Sequence, residues 1–434
     1  MSDKKVPTPK FTRRKFVKTG TVLTAGAVAA PAILRSSLAY AAGRPVKLGY
    51  VSPRTGPLAP FAEADDFVIN GVRNHLKDGV KIGNQVHPVE IIVKDTQSNP
   101  NRGAEVSADL ILKDKVDIIM GAGTPETTNP LSDQAEINEV PCITSDAPWQ
   151  PYFFGRGGNP AKGFDWTYHF FWGLEDVIGV FLNLWNSIPS NKTVGALWPN
   201  DSDGNAWGDP KLGFPGPLKA AGFKLVDPGR YQAPSDDFSA QIAEFKKNNV
   251  EIVSGVMIPP DFTTFWTQAA QQGFKPKIVT VGKALLFPAA IEALGDRGVG
   301  LSSEVWWTPS HPFKSSLTGV SAGQLAAAYE AATKKQWTQP IGFRHALFEV
   351  ATDVLKRTKS VDSPEAIIES IRTTNLDTIV GKVNWGGKPV KNVSKTPLVG
   401  GQWVRGTKYK YDLQVVNNKT APSIPTKGKF LPIT

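Results

Sequence analysis

One cysteine, Cys142, stands among 434 residues. No disulfide can form within the chain, and a zinc ribbon, an iron–sulfur cluster or a dithiol redox pair is excluded with it. Histidine is almost as scarce. His75, His87, His169, His311 and His345 are scattered too widely for a local metal-ligating pair, and no metal site is read. Charged residues make up 20% against 41% hydrophobic. That balance excludes a disordered polyampholyte and leaves enough apolar side chain for a sizeable core. Beyond the N-terminal leader no run reaches the apolar length of a membrane-spanning helix. Catalytic signatures are missing too: there is no G-x-S-x-G elbow, no Walker lysine and no H-E-x-x-H.

Basic residues are in excess, with a formal net charge of +10, which raises the question of nucleic acid. The excess is local. Residues 1–41 carry eight basic side chains and one acid, leaving 41 basic against 38 acidic and a net +3 for the remainder. The leader has the order of an export signal. A positive region holds Arg13-Arg14-Lys15-Phe16, a weakly apolar run covers 21–34, and Ala39-Tyr40-Ala41 fits a small-x-small cleavage site. Paired arginines before phenylalanine mark it as a twin-arginine signal peptide over 1–41. A periplasmic location follows, with no nucleic-acid partner.

The length allows two or three domains. From Val46 onward short apolar runs alternate with helical patterns. Strands are expected at 46–51, 90–95, 117–121 and 141–144, and helices at 63–77, 102–113 and 125–138. A Trp/Gly/Pro-rich interval at 147–173 reads as irregular. The same grammar resumes with a helix at 174–186, strands at 193–198, 251–256 and 277–281, and helices near 238–248, 261–273 and 285–294. A second irregular interval is expected at 302–312. Helices follow near 321–336, 343–358 and 363–373, then strands at 378–385 and 408–416. The fold class is α/β, built from parallel βαβ units in two lobes, with ligands expected at the C-terminal strand ends.

Candidate chemistry is thin. Gly121-Ala122-Gly123 sits where a dinucleotide fingerprint would, but Glu126 stands in the place of its third glycine; free amides opening the following helix, or a plain tight turn, are the remaining readings. The loop from Asn200 to Asp209 starts like a calcium loop, yet Leu212 occupies the position of the closing glutamate. A strand-to-helix loop is expected instead. Cys142 and His345 read as packed core residues. Six of the twelve tryptophans fall in irregular intervals: Trp149, Trp166, Trp172, Trp207, Trp306 and Trp307. Loop tryptophans at strand ends can line a pocket or brace two lobes.

The order of several segments carries a resemblance. It runs from the export signal through Val46-Lys47-Leu48-Gly49-Tyr50-Val51 and Gly56-Pro57-Leu58-Ala59-Pro60-Phe61 to Asn70-Gly71-Val72-Arg73. Asp95-Thr96-Gln97-Ser98-Asn99-Pro100, the 117–121 strand and Phe238-Ser239-Ala240-Gln241-Ile242 follow. In this the chain resembles the periplasmic solute-binding proteins of ABC transporters, of the branched-chain amino acid and amide (leucine-binding-protein-like) family. The resemblance implies a type I periplasmic-binding-protein fold, two Rossmann-like lobes with three hinge crossings. Here the crossings are expected near 168–173, 306–309 and 386–390. Lobe one would comprise 44–169 plus 308–387, and lobe two 170–307 plus 388–434. It implies a monomer that is not an enzyme, uses no cofactor, captures a small-molecule solute and delivers it to an inner-membrane ABC permease. A periplasmic sensor presenting the solute to a receptor, or an exported enzyme, are the alternatives.

By alignment to that family, Phe61 takes the place of an aromatic over the ligand. Thr127, with Thr124 beside it, matches a hydroxyl that holds a ligand carboxylate, and Asp146, Ala147 and Pro148, with Ser145 beside them, match a backbone stretch that does the same. Trp207 matches an aromatic on lobe two and Phe343 one on lobe one. Trp149 and Trp306 join them as loop tryptophans. Two positions depart from the pattern. Amino-acid binders carry an acid after the strand at 277–281, where this chain has Lys283, and Pro148 stands where an amide N–H is expected. Lys283 is then either a cleft cation or a solvated lysine. With the aromatics, a cleft lysine favours an organic acid, an aromatic acid or an amide over leucine or valine, whose buried ammonium would lack a partner.

Overall fold

The computed structural model describes residues 41–386 and 388–433; the expected export signal lies outside the described residues. Two sheets organise the rest. Strands β1 (Val46–Ser52), β2 (Val89–Asp95), β3 (Ile118–Ala122), β4 (Cys142–Ser145) and β5 (Thr167–Phe170) belong to the first. Strands β6 (Thr193–Pro199), β7 (Lys224–Val226), β8 (Ile252–Val256), β9 (Ile278–Gly282) and β10 (Ser302–Val305) belong to the second. The chain returns to the first sheet for β11 (Val393–Ser394) and ends in the second with β12 (Val399–Arg405) and β13 (Tyr411–Asn417). The first sheet has the order β11-β5-β4-β3-β1-β2 and is parallel throughout. The second has the order β7-β6-β8-β9-β10-β12-β13, with only the last two strands antiparallel.

The central strands are buried along their whole length, as in β3 and β6. That is why they read as continuous apolar runs rather than alternating ones: helices cover both faces of a parallel sheet. Local signals start the helices that do so. Asn99 caps α2 (Pro100–Leu112) by accepting from the Asn101 and Arg102 amides, and Pro100 occupies the first turn. The helix α3 (Pro125–Ile137) lies close over β3 at Gly121, where a Cβ would stand 2.5 Å from Leu131 Cδ2. In the second lobe α5 (Leu174–Trp185) covers β10 and β12, and Asp201 caps α6 (Ser202–Trp207) through the Gly204 amide. The long α7 (Pro340–Arg357) buries nearly every side chain against the first lobe, charged ones included.

Several expectations change. The interval 147–173 contains a short helix, Trp149–Phe153, and the strand β5. The interval 302–312 opens with β10, hidden in the sequence because Ser302 and Ser303 look like loop residues. Inside the sheet their hydroxyls donate to the Val279 and Val281 carbonyls. The strand β12 was masked by Gly400 and Gly401, and 378–385 folds as a hairpin of Asn375–Thr378 with Gly381–Asn384. The third crossing follows Ser394 rather than lying at 386–390. Val393 and Ser394 still pair with His169 and Phe170 of the first sheet, so 388–394 sits with lobe one.

Candidate ligand-binding cleft

The cleft forms where C-terminal strand ends of the two sheets face each other, the position where α/β sheets expose backbone ends without covering helices. From the first lobe come Phe61, Gly123 and Thr124 after β3, and Asp146 and Pro148 after β4. From the second come Asp203 and Trp207 on α6, Val256 at the end of β8, Lys283 after β9 and Glu304 within β10. The cavity between them is about 30 Å³, so the two walls stand close together around it.

Its walls are mainly aromatic. Phe61, Phe171, Trp172, Trp207 and Trp306 all line it, and none is more than 3% exposed. Phe171 meets Trp306 edge-on with centroids 5.1 Å apart. Trp207 stacks on Phe214 at 5.0 Å. Phe61 makes an edge contact with Phe287 of the second lobe at 4.9 Å, so the two lobes touch across the opening. The indole nitrogens of Trp172, Trp207 and Trp306 have no hydrogen-bond partner among the described residues, nor do Thr124 Oγ1, Asp146 Oδ1 and Asp203 Oδ1. Buried polar atoms in a folded protein are normally paired. Six such atoms without a partner among the described residues stand around this one cavity.

Two buried cations stand at this cleft. Arg344, on α7 and fully buried, donates from Nε to Asp65 Oδ1 at 3.1 Å, from Nη1 to Asp146 Oδ2 and from Nη2 to the Phe61 carbonyl at 2.8 Å. Asp65 also accepts from the Tyr50 and Ser52 hydroxyls. Burial pushes Asp146 up to about 6 despite the opposing Arg344 charge. Lys283 Nζ lies 2.9 Å from Asp203, 3.6 Å from Asp201 and 3.9 Å from Glu126. Burial alone would lower its ammonium, but the three carboxylates outweigh burial and hold it well above its ordinary value. Burial raises Asp203 to about 7 against the pull of Lys283. It also raises Glu304 to about 7, against the hydrogen bonds that carboxylate accepts from the Ser303 hydroxyl and the Lys283 amide.

Of the residues named from sequence, Phe61, Thr124, Asp146, Trp207, Lys283 and Trp306 line the space. Phe343 lies behind it, packed on Phe171 and Trp306. Thr127 is buried in the first turn of α3 behind Gly123. Ser145 donates to the Phe170 carbonyl inside the sheet, and the Ala147 carbonyl is taken by His169 Nε2. Trp149 Nε1 donates to Glu175 across the hinge side, where Lys395 also pairs with Glu175. Lys283 is not a solvated lysine: it is 5% exposed. Nor is it a free cation for an anionic ligand, since three carboxylates already surround it. Two acids from other elements stand beside Lys283. Glu304 comes from the neighbouring strand and Asp203 from the loop that resembled a calcium site. Among the described residues no group of His, Cys, Asp and Glu is arranged to hold a metal ion.

Sequence reasoning missed Arg344, Asp203, Glu304 and Phe171. An arginine on a helix reads as a solvated face, and a lone glutamate among serines carries no pattern. Only the Trp/Gly/Pro-rich interval before α5 pointed toward Phe171 and Trp172.

Solved structures share this architecture. A leucine-binding protein from Thermotoga maritima is 20% identical, with a TM-score of 0.69 over 86% of this chain and 99% of that one. A branched-chain amino acid transporter substrate-binding protein from Streptococcus pneumoniae, in complex with isoleucine, is 13% identical, with a TM-score of 0.68 over 85% and 99%. A solute-binding protein of an ABC transporter from Rhodopseudomonas palustris, in complex with 3,4-dihydroxybenzoic acid, is 16% identical, with a TM-score of 0.68 over 87% and 99%. The family model described as periplasmic binding protein matches residues 45–407. With two parallel-sheet lobes closing on one aromatic cleft, the chain belongs to the periplasmic binding protein family.

Proposed function

We propose that this protein captures one small solute between its lobes outside the cytoplasm and hands it to the permease of an ABC importer. The observation that carries the reading is the cleft itself. Aromatic side chains from both lobes enclose it, and polar atoms without protein partners face it. Binding would hold both walls together, and the closed form is the one a permease can distinguish. Such a task needs no bond to be made or broken, so no catalytic group is assigned.

The solutes bound by the structural neighbours include isoleucine and 3,4-dihydroxybenzoic acid, so amino acids, aromatic acids and amides are the first compounds to test. Tryptophan fluorescence and thermal melting of the purified protein should both respond to its solute. Trp207→Ala should weaken that response about tenfold or more while the fold persists, since Trp207 presents a large face to the cavity. Unchanged affinity would remove Trp207 from the binding surface.

We infer export by the twin-arginine route from Arg13-Arg14. Replacing both by lysine should leave the precursor in the cytoplasm; normal export of that variant would refute the route. As a single-solute carrier the protein would act as a monomer, which a sedimentation measurement checks directly.

A further inference from the structure

We propose that the solute of this cleft is a small organic cation bearing N–H donors, a protonated amine, and that carboxylate anions of the same size are rejected. The proposal rests on the solute-binding reading and narrows it.

The charge around the cavity is the first observation. Asp146, Asp203 and Glu304 line it with Lys283. Asp65 is paired with Arg344 beside Asp146, and Asp201 and Glu126 stand with Asp203 around Lys283. Six carboxyl groups therefore face two cations, and both cations are spent. The Arg344 nitrogens are bonded to Asp65, Asp146 and the Phe61 carbonyl. Lys283 Nζ is shared among three carboxylates. An entering carboxylate would find no uncommitted cation and would stand beside Asp146, Asp203 and Glu304 in a site with little water to screen the repulsion.

The second observation is the set of acceptors left over. Asp146 Oδ1 and Asp203 Oδ1 have no partner among the described residues, and both residues are at most 4% exposed. Glu304 is held by neutral donors alone. Charge-assisted N–H donors are the groups that satisfy such oxygens best. The third observation is the aromatic wall. Rings of Phe61, Trp172, Trp207 and Trp306 offer faces that attract a desolvated cation. The unpartnered indole N–H groups leave room for a neutral oxygen elsewhere on the same solute. A metal cation does not fit, because no set of described His, Cys, Asp or Glu side chains is arranged to hold one, whereas ring faces and separated acceptors suit an organic one.

The test uses series matched in shape and differing in charge: benzylamine, benzamide and benzoate, and butylamine, butyramide and butyrate. Each is titrated calorimetrically into the purified protein at pH 7.5, with thermal melting in parallel. An amine is expected to bind at least about tenfold tighter than its matched carboxylate, the size expected for one charge-assisted hydrogen bond. Glu304→Gln, its fold checked by circular dichroism, should lose about tenfold in amine affinity, a larger loss than it shows for the amide. If a carboxylate or an amide binds as well as the amine, the cation proposal is overturned and the solute-binding reading stands. Equal amine affinity in wild type and Glu304→Gln also overturns it. If no compound of any charge binds, the solute-binding reading fails and takes the proposal with it.

Discussion

Arg344 and Lys283 are both buried, both surrounded by carboxylates and both at the cleft, yet their partners are distributed differently. Every partner of Arg344 belongs to the first lobe: Asp65 on α1 (Asp65–His75), Asp146 after β4 and the Phe61 carbonyl. It ties three separate chain segments into one rigid wall and fixes the backbone that carries the Phe61 ring. Lys283 instead starts on the second lobe, pairs there with Asp203 and Asp201, and reaches Glu126 on α3 of the first. Only the Lys283 cluster spans the opening. The same ingredients thus build a scaffold in one place and a contact between moving parts in the other. The length of the weakest bond reflects it, 3.9 Å to Glu126 against 2.9 Å to Asp203.

Removing Arg344 should break the comparison most severely. Arg344→Met leaves Asp65 and Asp146 buried without their cation, a change that costs about 3–5 kcal/mol. Urea unfolding should register it, and a loss below about 1 kcal/mol would mean that the cluster is not a scaffold. Arg344→Lys should recover little, because a single ammonium cannot reach three acceptors in the geometry of a guanidinium.

Lys283→Met should cost less, about 2 kcal/mol, because Asp201 and Glu126 are partly exposed and Asp203 can take up a proton. Unlike Arg344→Met, it should also loosen the lobes. Small-angle scattering of the unliganded protein should show a larger radius of gyration, and an unchanged radius would deny Lys283 any part in closure.

Titration sharpens the contrast further. Glu304 and Asp203 are held near 7 and Asp146 near 6 in the fold, above their ordinary values of 4.5 and 3.8. A carboxyl raised in the folded state contributes stability at low pH and loses it as pH rises through the folded value. Stability should therefore fall between about pH 4.5 and 7, by about 3 kcal/mol for Glu304 alone. Glu304→Gln should flatten that part of the curve in thermal melts across pH. A curve that rises over this window in wild type would contradict the assignment.

The smallest effect belongs to Glu126→Gln. The side chain is 20% exposed and its ion pair is long, so global stability should change by less than about 1 kcal/mol. Its consequence should appear in closure, as weaker solute affinity through a faster off-rate, with unfolding unaffected. A large loss of stability would place Glu126 in the scaffold class with Arg344.

Much of the fold was legible because it is written locally. The strands expected at 117–121 and 193–198 fall on Ile118–Ala122 and Thr193–Pro199, which are buried along their length, and the helix expected from Pro125 does start there. Elements whose polar atoms are satisfied by neighbours distant in sequence were not legible. Ser302–Val305 needs the Val279 and Val281 carbonyls to become a strand, and Val393–Ser394 needs Thr167–Phe170 beside it. The same division runs through the cleft. Trp207 and Trp306 could be named because tryptophans in irregular segments are conspicuous, and Phe61 because the family resemblance implies an aromatic there. Arg344 could not, since a helical arginine looks solvated until Asp65 and Asp146, 279 and 198 residues away, are brought to it.

The sequence by itself determined the class of the molecule: α/β periodicity, a basic N-terminal segment, one cysteine, no catalytic motif, and an ordered set of segments shared with a family of binding proteins. Tertiary structure alone decided the chemistry of the site. Whether Lys283 is a free cation or a neutralised one depends on carboxylates from α6 and α3. Electrostatic energy depends on distance through space and on burial, and neither is encoded by spacing along the chain.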